Sequence, residues 1–147
     1  MSGSVYPVII GLIALALATA AGLWLNKRDG EIRHAAIDES EELLALLTEV
    51  GFTGAGPAVV HFSADWCAPC KAVARVVSGV TNDLADSPHP PQDLEVDIDE
   101  NPILSRYLRV LSLPTTFIID RDGAQKFRAA GVPGATDLRT VLEPLSH

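Results

Sequence analysis

Cys67 and Cys70 are the only thiols in the chain, set two residues apart in the run Trp66-Cys67-Ala68-Pro69-Cys70. An apolar run, Ala58, Val59 and Val60, precedes them, and a helical apolar pattern follows. Two thiols at that spacing on the first turn of a helix can close a disulfide with little backbone movement. The sulfur of Cys67 then faces unpaired backbone N–H groups and the positive end of the helix dipole, which favours the thiolate. A thiolate beside a second thiol is equipped for thiol–disulfide exchange. Zinc sites use the same cysteine spacing, but they normally take four protein ligands. The four histidines, His34, His61, His89 and His147, are scattered along the chain, so no metal site is expected.

The elements that position this pair follow from apolar periodicity. Leu43, Leu44, Leu46, Leu47 and Val50 recur at helical spacing and predict a helix near 39–50, with Asp38 and Glu41 spaced as a capping box. Gly51, Gly54, Gly56 and Pro57 end it and launch a strand from Ala58 to Ser63. Cys67 or Ala68 opens a second helix carrying Val73, Val76, Val77, Val80 and Leu84. Pro69 is tolerated in its first turn, where a backbone N–H has no helical partner anyway. Pro88, Pro90 and Pro91 then break the pattern into a loop.

Leu94 to Ile98 alternates with Glu95 and Asp97, as a half-exposed strand does, and a short helix follows from about Asn101 to Leu108. Thr115 to Asp120 reads as a buried strand, and Arg121-Asp122-Gly123 as a hairpin turn. Its partner strand is Gln125 to Ala130. Gly131 stops it, and Ala135 to Leu145 makes a terminal helix. Alternation first and a hairpin last predict an α/β fold, a central mixed β-sheet flanked by helices.

At 147 residues the chain has room for about one domain, and its first 28 residues stand apart from it. Val8 to Leu25 is 18 residues without a charge. As a helix at about 1.5 Å per residue it spans roughly the hydrocarbon thickness of a bilayer. Tyr6 and Trp24 lie at its ends, where aromatic side chains favour the membrane interface. We therefore expect one N-terminal transmembrane helix, with membrane contact through residues 6–25, and divide the chain into an anchor (1–28), a linker (29–37) and a catalytic domain (38–147). A cleaved leader is the other reading. Ala18-Thr19-Ala20 resembles a small-residue cleavage site, although residues 1–7 lack the Lys or Arg that opens such leaders.

Lys27, Arg28 and Arg33 all follow the span, so the excess of basic residues places the domain in the cytoplasm, at the cell membrane. With no thiol left for a structural disulfide, a reducing compartment is consistent. An extracytoplasmic domain can also carry a lone active pair, so that face stays as the alternative. The net charge of −8 argues against nucleic acid and against a broad anionic lipid surface as partner.

Residues 38–145 resemble the thioredoxin family in four features: the tryptophan-led Cys-x-x-Cys pair after a strand, Pro114 before Thr115, Asp122-Gly123 in the hairpin, and Gly131 past the last strand. The resemblance implies a thioredoxin fold, protein-disulfide reductase activity, and no cofactor beyond a redox-active Cys67–Cys70 disulfide. It implies protein disulfides as substrates and an upstream electron donor such as a thioredoxin-type reductase. Cys67 would attack the substrate disulfide, and Cys70 would resolve the mixed disulfide. Pro114 would sit in a cis peptide facing the cysteines, where the neighbouring backbone can pair with a substrate strand. Trp66, Leu113, Gly131 and Val132 would form the platform for that substrate. By residue type alone, Trp66, Leu113 and Val132 suit a core equally well.

Several positions depart from the family pattern. Ala68 stands before Pro69 where the familiar reductant has glycine, so the redox poise does not carry over. Arg75 stands where many members kink the helix with proline. His61, six before Cys67, replaces a buried aspartate, and Glu95 occupies a place where members often carry lysine. We expect His61 to be buried mid-strand and to pair with Glu95, accepting the proton of Cys70 as it attacks. A histidine satisfied by backbone groups is the alternative. Two rival functions stay open: an extracytoplasmic exchange protein of the cytochrome-maturation kind, and a non-catalytic thioredoxin-fold interaction module.

Overall fold

The uncharged N-terminal run folds as one helix, α1, Tyr6–Arg28. The computed structural model describes residues 6–28 and 37–147, without the side chains of 6, 8, 21–28 and 37–40. Among the described residues no helix is long and apolar enough to cross a membrane. The expected span over 8–25 includes side chains outside them, as do the expectations for Tyr6, Trp24, Lys27, Arg28 and Arg33. Most of the linker, 29–36, also lies outside the described residues. Backbone contacts divide the chain into two units, Met1–Ala35 and Ala36–His147, and the second holds both cysteines.

In that second unit the order is α2 (Ile37–Glu49), β1 (Ala58–Ser63), α3 (Cys70–Asp83), β2 (Gln92–Asp97), α4 (Pro102–Tyr107), β3 (Thr115–Ile119), β4 (Gln125–Ala130) and α5 (Ala135–Leu142), closed by a 3-10 turn at Glu143–Leu145. The four strands form one sheet in the order β2-β1-β3-β4. β1 pairs with β2 in parallel and with β3 antiparallel, and β3 pairs antiparallel with β4. The sheet is therefore mixed, as expected. β1 and β3 are central, and every residue in both is buried. A strand covered on both faces has no polar face to alternate with, which is why these two read as near-continuous apolar runs.

Helices cover both faces. Val60, Phe62, Val96, Phe117 and Ile119 pack with Leu43 and Leu47 of α2, Leu104 of α4 and Leu108. Phe62 and Phe117 meet edge to face, 5.9 Å between centroids, a favoured aromatic geometry. On the other face Val59 and Ile118 pack with Val73, Val77 and Val80 of α3, together with Leu138 and Leu142 of α5. The valines of α3 recur at helical spacing, so burying that stripe against the sheet fixes the helix that carries the thiols.

Several boundaries differ from expectation, each for a local reason. α3 begins at Cys70, not at Cys67 or Ala68. Ala68 precedes a proline, and the residue before proline is biased away from helical angles. Cys67–Cys70 is instead a tight turn, with the Cys70 amide donating to the Cys67 carbonyl at 3.3 Å. The last helix stops at Leu142 and tightens into the 3-10 turn, because Pro144 has no N–H for the next α-helical bond. α2 starts at Ile37, so Asp38 lies inside the helix and not at its cap. Past Arg75, α3 is one continuous helix.

Candidate active site

Cys67 and Cys70 are joined in a disulfide, S–S 2.08 Å, with Cα atoms 5.5 Å apart. β1 ends at Ser63, and the chain turns so that the Cys67 amide donates to the Ala64 carbonyl at 3.0 Å. Cys67 therefore sits just before the amino end of α3, and Cys70 is its first residue. Unpaired N–H groups and the positive end of the helix dipole gather at that end. Both cysteines are buried residues: Cys67 is 6% exposed and Cys70 3%. Cys70 Sγ lies 3.7 Å from the Phe62 carbonyl oxygen. Ala68 and Pro69, between the two, are exposed.

One segment packs on the cysteine cluster, and a second is tied to it by a backbone hydrogen bond. The Leu113–Pro114 peptide is cis, and half-buried Leu113 packs against Ala64, Cys67 and Cys70. The Gly131 amide donates to the Pro114 carbonyl at 2.9 Å. Gly131 adopts φ +78° to do so, a backbone conformation natural to glycine and costly for other residues. Val132 follows it, 47% exposed, and Trp66 is 72% exposed. These last two are thus surface residues and not core. Leu111 is 90% exposed on the same loop as Leu113. Sequence reasoning missed it, since a leucine in Val110-Leu111-Ser112-Leu113 carries no signal that it leaves the core.

His61 is buried as expected, 1% exposed, but its partner is not Glu95. His61 Nε2 lies 2.8 Å from Asp93 Oδ1. Glu95 is opposite His61 in the β1–β2 register, yet its side chain is exposed and lines an acidic groove with Glu49, Asp65, Asp97 and Glu100. The alternating pattern in the sequence starts at Leu94, whereas β2 begins at Gln92. The two extra residues bring Asp93 into the sheet, on the same face as Glu95 because side chains alternate. His61 Nδ1 has no hydrogen-bond partner among the described residues, and neither does the buried Thr116 Oγ1. Thr116 is the residue opposite His61 across the β1–β3 pair. Backbone groups therefore do not satisfy this histidine. Among the described residues no cluster of three or more His, Cys, Asp or Glu side chains could hold a metal ion.

Comparison with known proteins places this geometry. The family model described as Thioredoxin matches residues 49–144. The thioredoxin of Mycolicibacterium smegmatis is 38% identical over 86 residues, 58% of this chain and 75% of that protein. A Staphylococcus aureus thioredoxin is 34% identical over 88 residues, 60% of this chain and 81% of that protein. Among solved structures, Fasciola hepatica thioredoxin is similar with a TM-score of 0.54 and 27% identity, covering 71% of this chain and 92% of that one. Chloroplastic thioredoxin z is similar with a TM-score of 0.55 and 30% identity, covering 72% of this chain and 89% of that one. Thioredoxins work through a redox-active disulfide and no cofactor. The chain belongs to the thioredoxin family, a thiol–disulfide oxidoreductase whose redox group is the Cys67–Cys70 disulfide.

Proposed function

We propose that this protein reduces protein disulfides at the cytoplasmic face of a membrane, with Cys67 as the attacking thiol and Cys70 as the resolving one. The observation that carries the reading is the Cys67–Cys70 bond with Leu113 of the cis Leu113–Pro114 pair packed on its cluster, Trp66 exposed next to Cys67, and Val132 exposed beside Gly131, whose amide bonds the Pro114 carbonyl. Exposed apolar side chains around a reactive bond suit a polypeptide substrate.

In the first step the Cys67 thiolate attacks one sulfur of a substrate disulfide. That bond breaks, a Cys67–substrate disulfide forms, and the other substrate sulfur leaves as a thiolate and takes a proton. In the second step Cys70 loses its proton and attacks Cys67 Sγ. The mixed disulfide breaks, the second substrate thiolate leaves, and the Cys67–Cys70 bond re-forms. Two electrons have passed to the substrate, and a thioredoxin-type reductase returns two to the protein. His61 accepts the Cys70 proton, with Asp93 holding the imidazole on the opposite nitrogen from the open Nδ1.

The uncharged run Val8–Leu25, helical in the backbone of α1, supports an anchor, and the basic residues Lys27, Arg28 and Arg33 support a cytoplasmic domain. Tethering raises the effective concentration of the thiols for substrates held at the same bilayer.

Insulin-disulfide reduction tests the chemistry: the full chain is active and Cys67→Ser is inert. An inactive wild type overturns the reading. A reporter enzyme that works only outside the cytoplasm, fused to the C-terminus, tests the topology. It should stay silent, and an active reporter moves the same chemistry to the outer face.

A further inference from the structure

We infer that Arg128, remote from the sulfurs in sequence, is a positioning residue for protein substrates, acting through the loop that carries Leu111, Leu113 and Pro114. The inference rests on the proposed reading of that loop as the substrate-contacting segment. Arg128 lies in β4 opposite Phe117, with its guanidinium 5.1 Å from the centre of the Phe117 ring. Its Nη1 donates to the Leu108 carbonyl at 3.2 Å and its Nη2 to the Arg109 carbonyl at 2.9 Å. Those carbonyls lie just past α4, where a helix leaves its acceptors without partners. A cation that donates to the last carbonyls of a helix also meets the negative end of its dipole.

The conformation held there is unusual. Arg109 adopts φ +52°, the only non-glycine residue with positive φ among those described. Side-chain sterics disfavour that conformation for an L-residue, so it persists where surrounding contacts impose it. Backbone bonds closing the helix end set it, the Arg109 amide donating to the Arg106 carbonyl at 3.0 Å and the Val110 amide to the Ser105 carbonyl at 2.9 Å, and Arg128 ties the same turn to β4 through the Leu108 and Arg109 carbonyls. The loop's far end is fastened separately: Thr115 Oγ1 donates to the Ser112 carbonyl at 2.6 Å, and the Gly131 amide to the Pro114 carbonyl at 2.9 Å. Between the two fastenings Leu111 is 90% exposed and Leu113 packs on the cysteines. One strand, β4 with its exit, thus holds both ends of the loop: Arg128 the start, Gly131 the finish.

A residue that orders the loop, without touching the sulfurs, should affect substrates that lie along the loop and spare those that reach the sulfur alone. The test uses the full-length reduced protein, wild type, Arg128→Met and Arg128→Lys. Two oxidants are compared: insulin, and the small aromatic disulfide 5,5′-dithiobis(2-nitrobenzoic acid). Arg128→Met should slow reaction with insulin about tenfold, through KM, the scale of one lost charge-assisted hydrogen bond. Reaction with the small disulfide should stay within about twofold. Arg128→Lys keeps the charge over Phe117 and one donor, and should recover part of the insulin rate.

Equal slowing with both oxidants, or slowing with neither, overturns the inference. If Arg128→Met does not fold by far-UV circular dichroism, the same ratio measured on Arg128→Lys decides. An active wild type with an unchanged Arg128→Met sinks this inference alone, whereas a wild type inert toward insulin sinks the proposed function and this inference with it.

Discussion

The two ends of β1 are finished in opposite ways. Beyond its Ala58 end the chain is closed on itself. Gly56 comes so near the 86–91 loop that a Cβ there would stand 2.1 Å from the Pro90 carbonyl oxygen. The His89 amide donates to the Ser146 carbonyl at 2.9 Å, and Arg121 Nη1 donates to the His89 ring. The Gln92 side-chain carbonyl accepts from the Thr53 amide while its Nε2 donates to the Gly51 carbonyl. In the hairpin turn Asp120 Oδ1 accepts from the amides of Asp122 and Ala124. Beyond the Ser63 end are the disulfide and three large apolar side chains left in solvent, Trp66, Leu111 and Val132.

The contrast separates stability from chemistry. One end is tied together by hydrogen bonds and a close backbone approach between segments, and the other carries exposed apolar side chains around the disulfide. Substitutions at the two ends should therefore move different measurements. The largest effect belongs to Cys70→Ser, which should end turnover and trap the substrate as a stable Cys67 mixed disulfide. Non-reducing electrophoresis after exposure to insulin shows the adduct, and rapid release without one would reassign the resolving thiol.

Next comes Gly56→Ala at the closed end. The added methyl meets backbone and not a flexible side chain, so the 86–91 loop must shift, at a cost of about 2 kcal/mol. On a domain of this size that lowers Tm by roughly 10 °C. The exchange rate at 25 °C should not change, and a slowed exchange would show that the two ends are coupled.

Asp93→Asn and Glu95→Gln form a matched pair on one face of β2. Rapid mixing should show the second exchange step slowed about tenfold in Asp93→Asn, and unchanged in Glu95→Gln, as expected when a base loses its orienting carboxylate. The reverse result would restore Glu95 as the partner. The smallest effect is Trp66→Ala. It should react roughly threefold more slowly with insulin, because the substrate no longer has the indole to rest on, and its stability should change by no more than about 0.5 kcal/mol because the residue is exposed. A drop in Tm beyond that would mean the indole supports the fold.

Much of the scaffold was legible from residue types. The strands Ala58–Ser63 and Gln125–Ala130 lie where patterning puts them, because a run of buried β-branched residues and a hairpin turn are local signals. The family resemblance implies a cis bond before Pro114, and the Leu113–Pro114 peptide is cis; the mid-strand place of His61 implies burial, and it is buried. The start of α3 was misplaced by the pull of the cysteine spacing against the bias of Ala68 away from helix. The partner of His61 was missed because β2 gains Gln92 and Asp93 only through pairing with β1. Leu111 and Arg128 gave no signal at all. An exposed leucine and an arginine on a half-polar strand are each ordinary until the loop they serve is in place.

The order of elements, the redox pair and its place at a helix's amino end were settled by the sequence, since each depends on neighbours within a few residues: apolar period, a proline without an N–H, two sulfurs one turn apart. Folding in three dimensions decided which carboxylate reaches the buried imidazole, which apolar side chains stay in water, and which cation holds the end of α4. Those outcomes depend on register between segments tens of residues apart, and a slip of one residue in a strand turns every side chain to the opposite face.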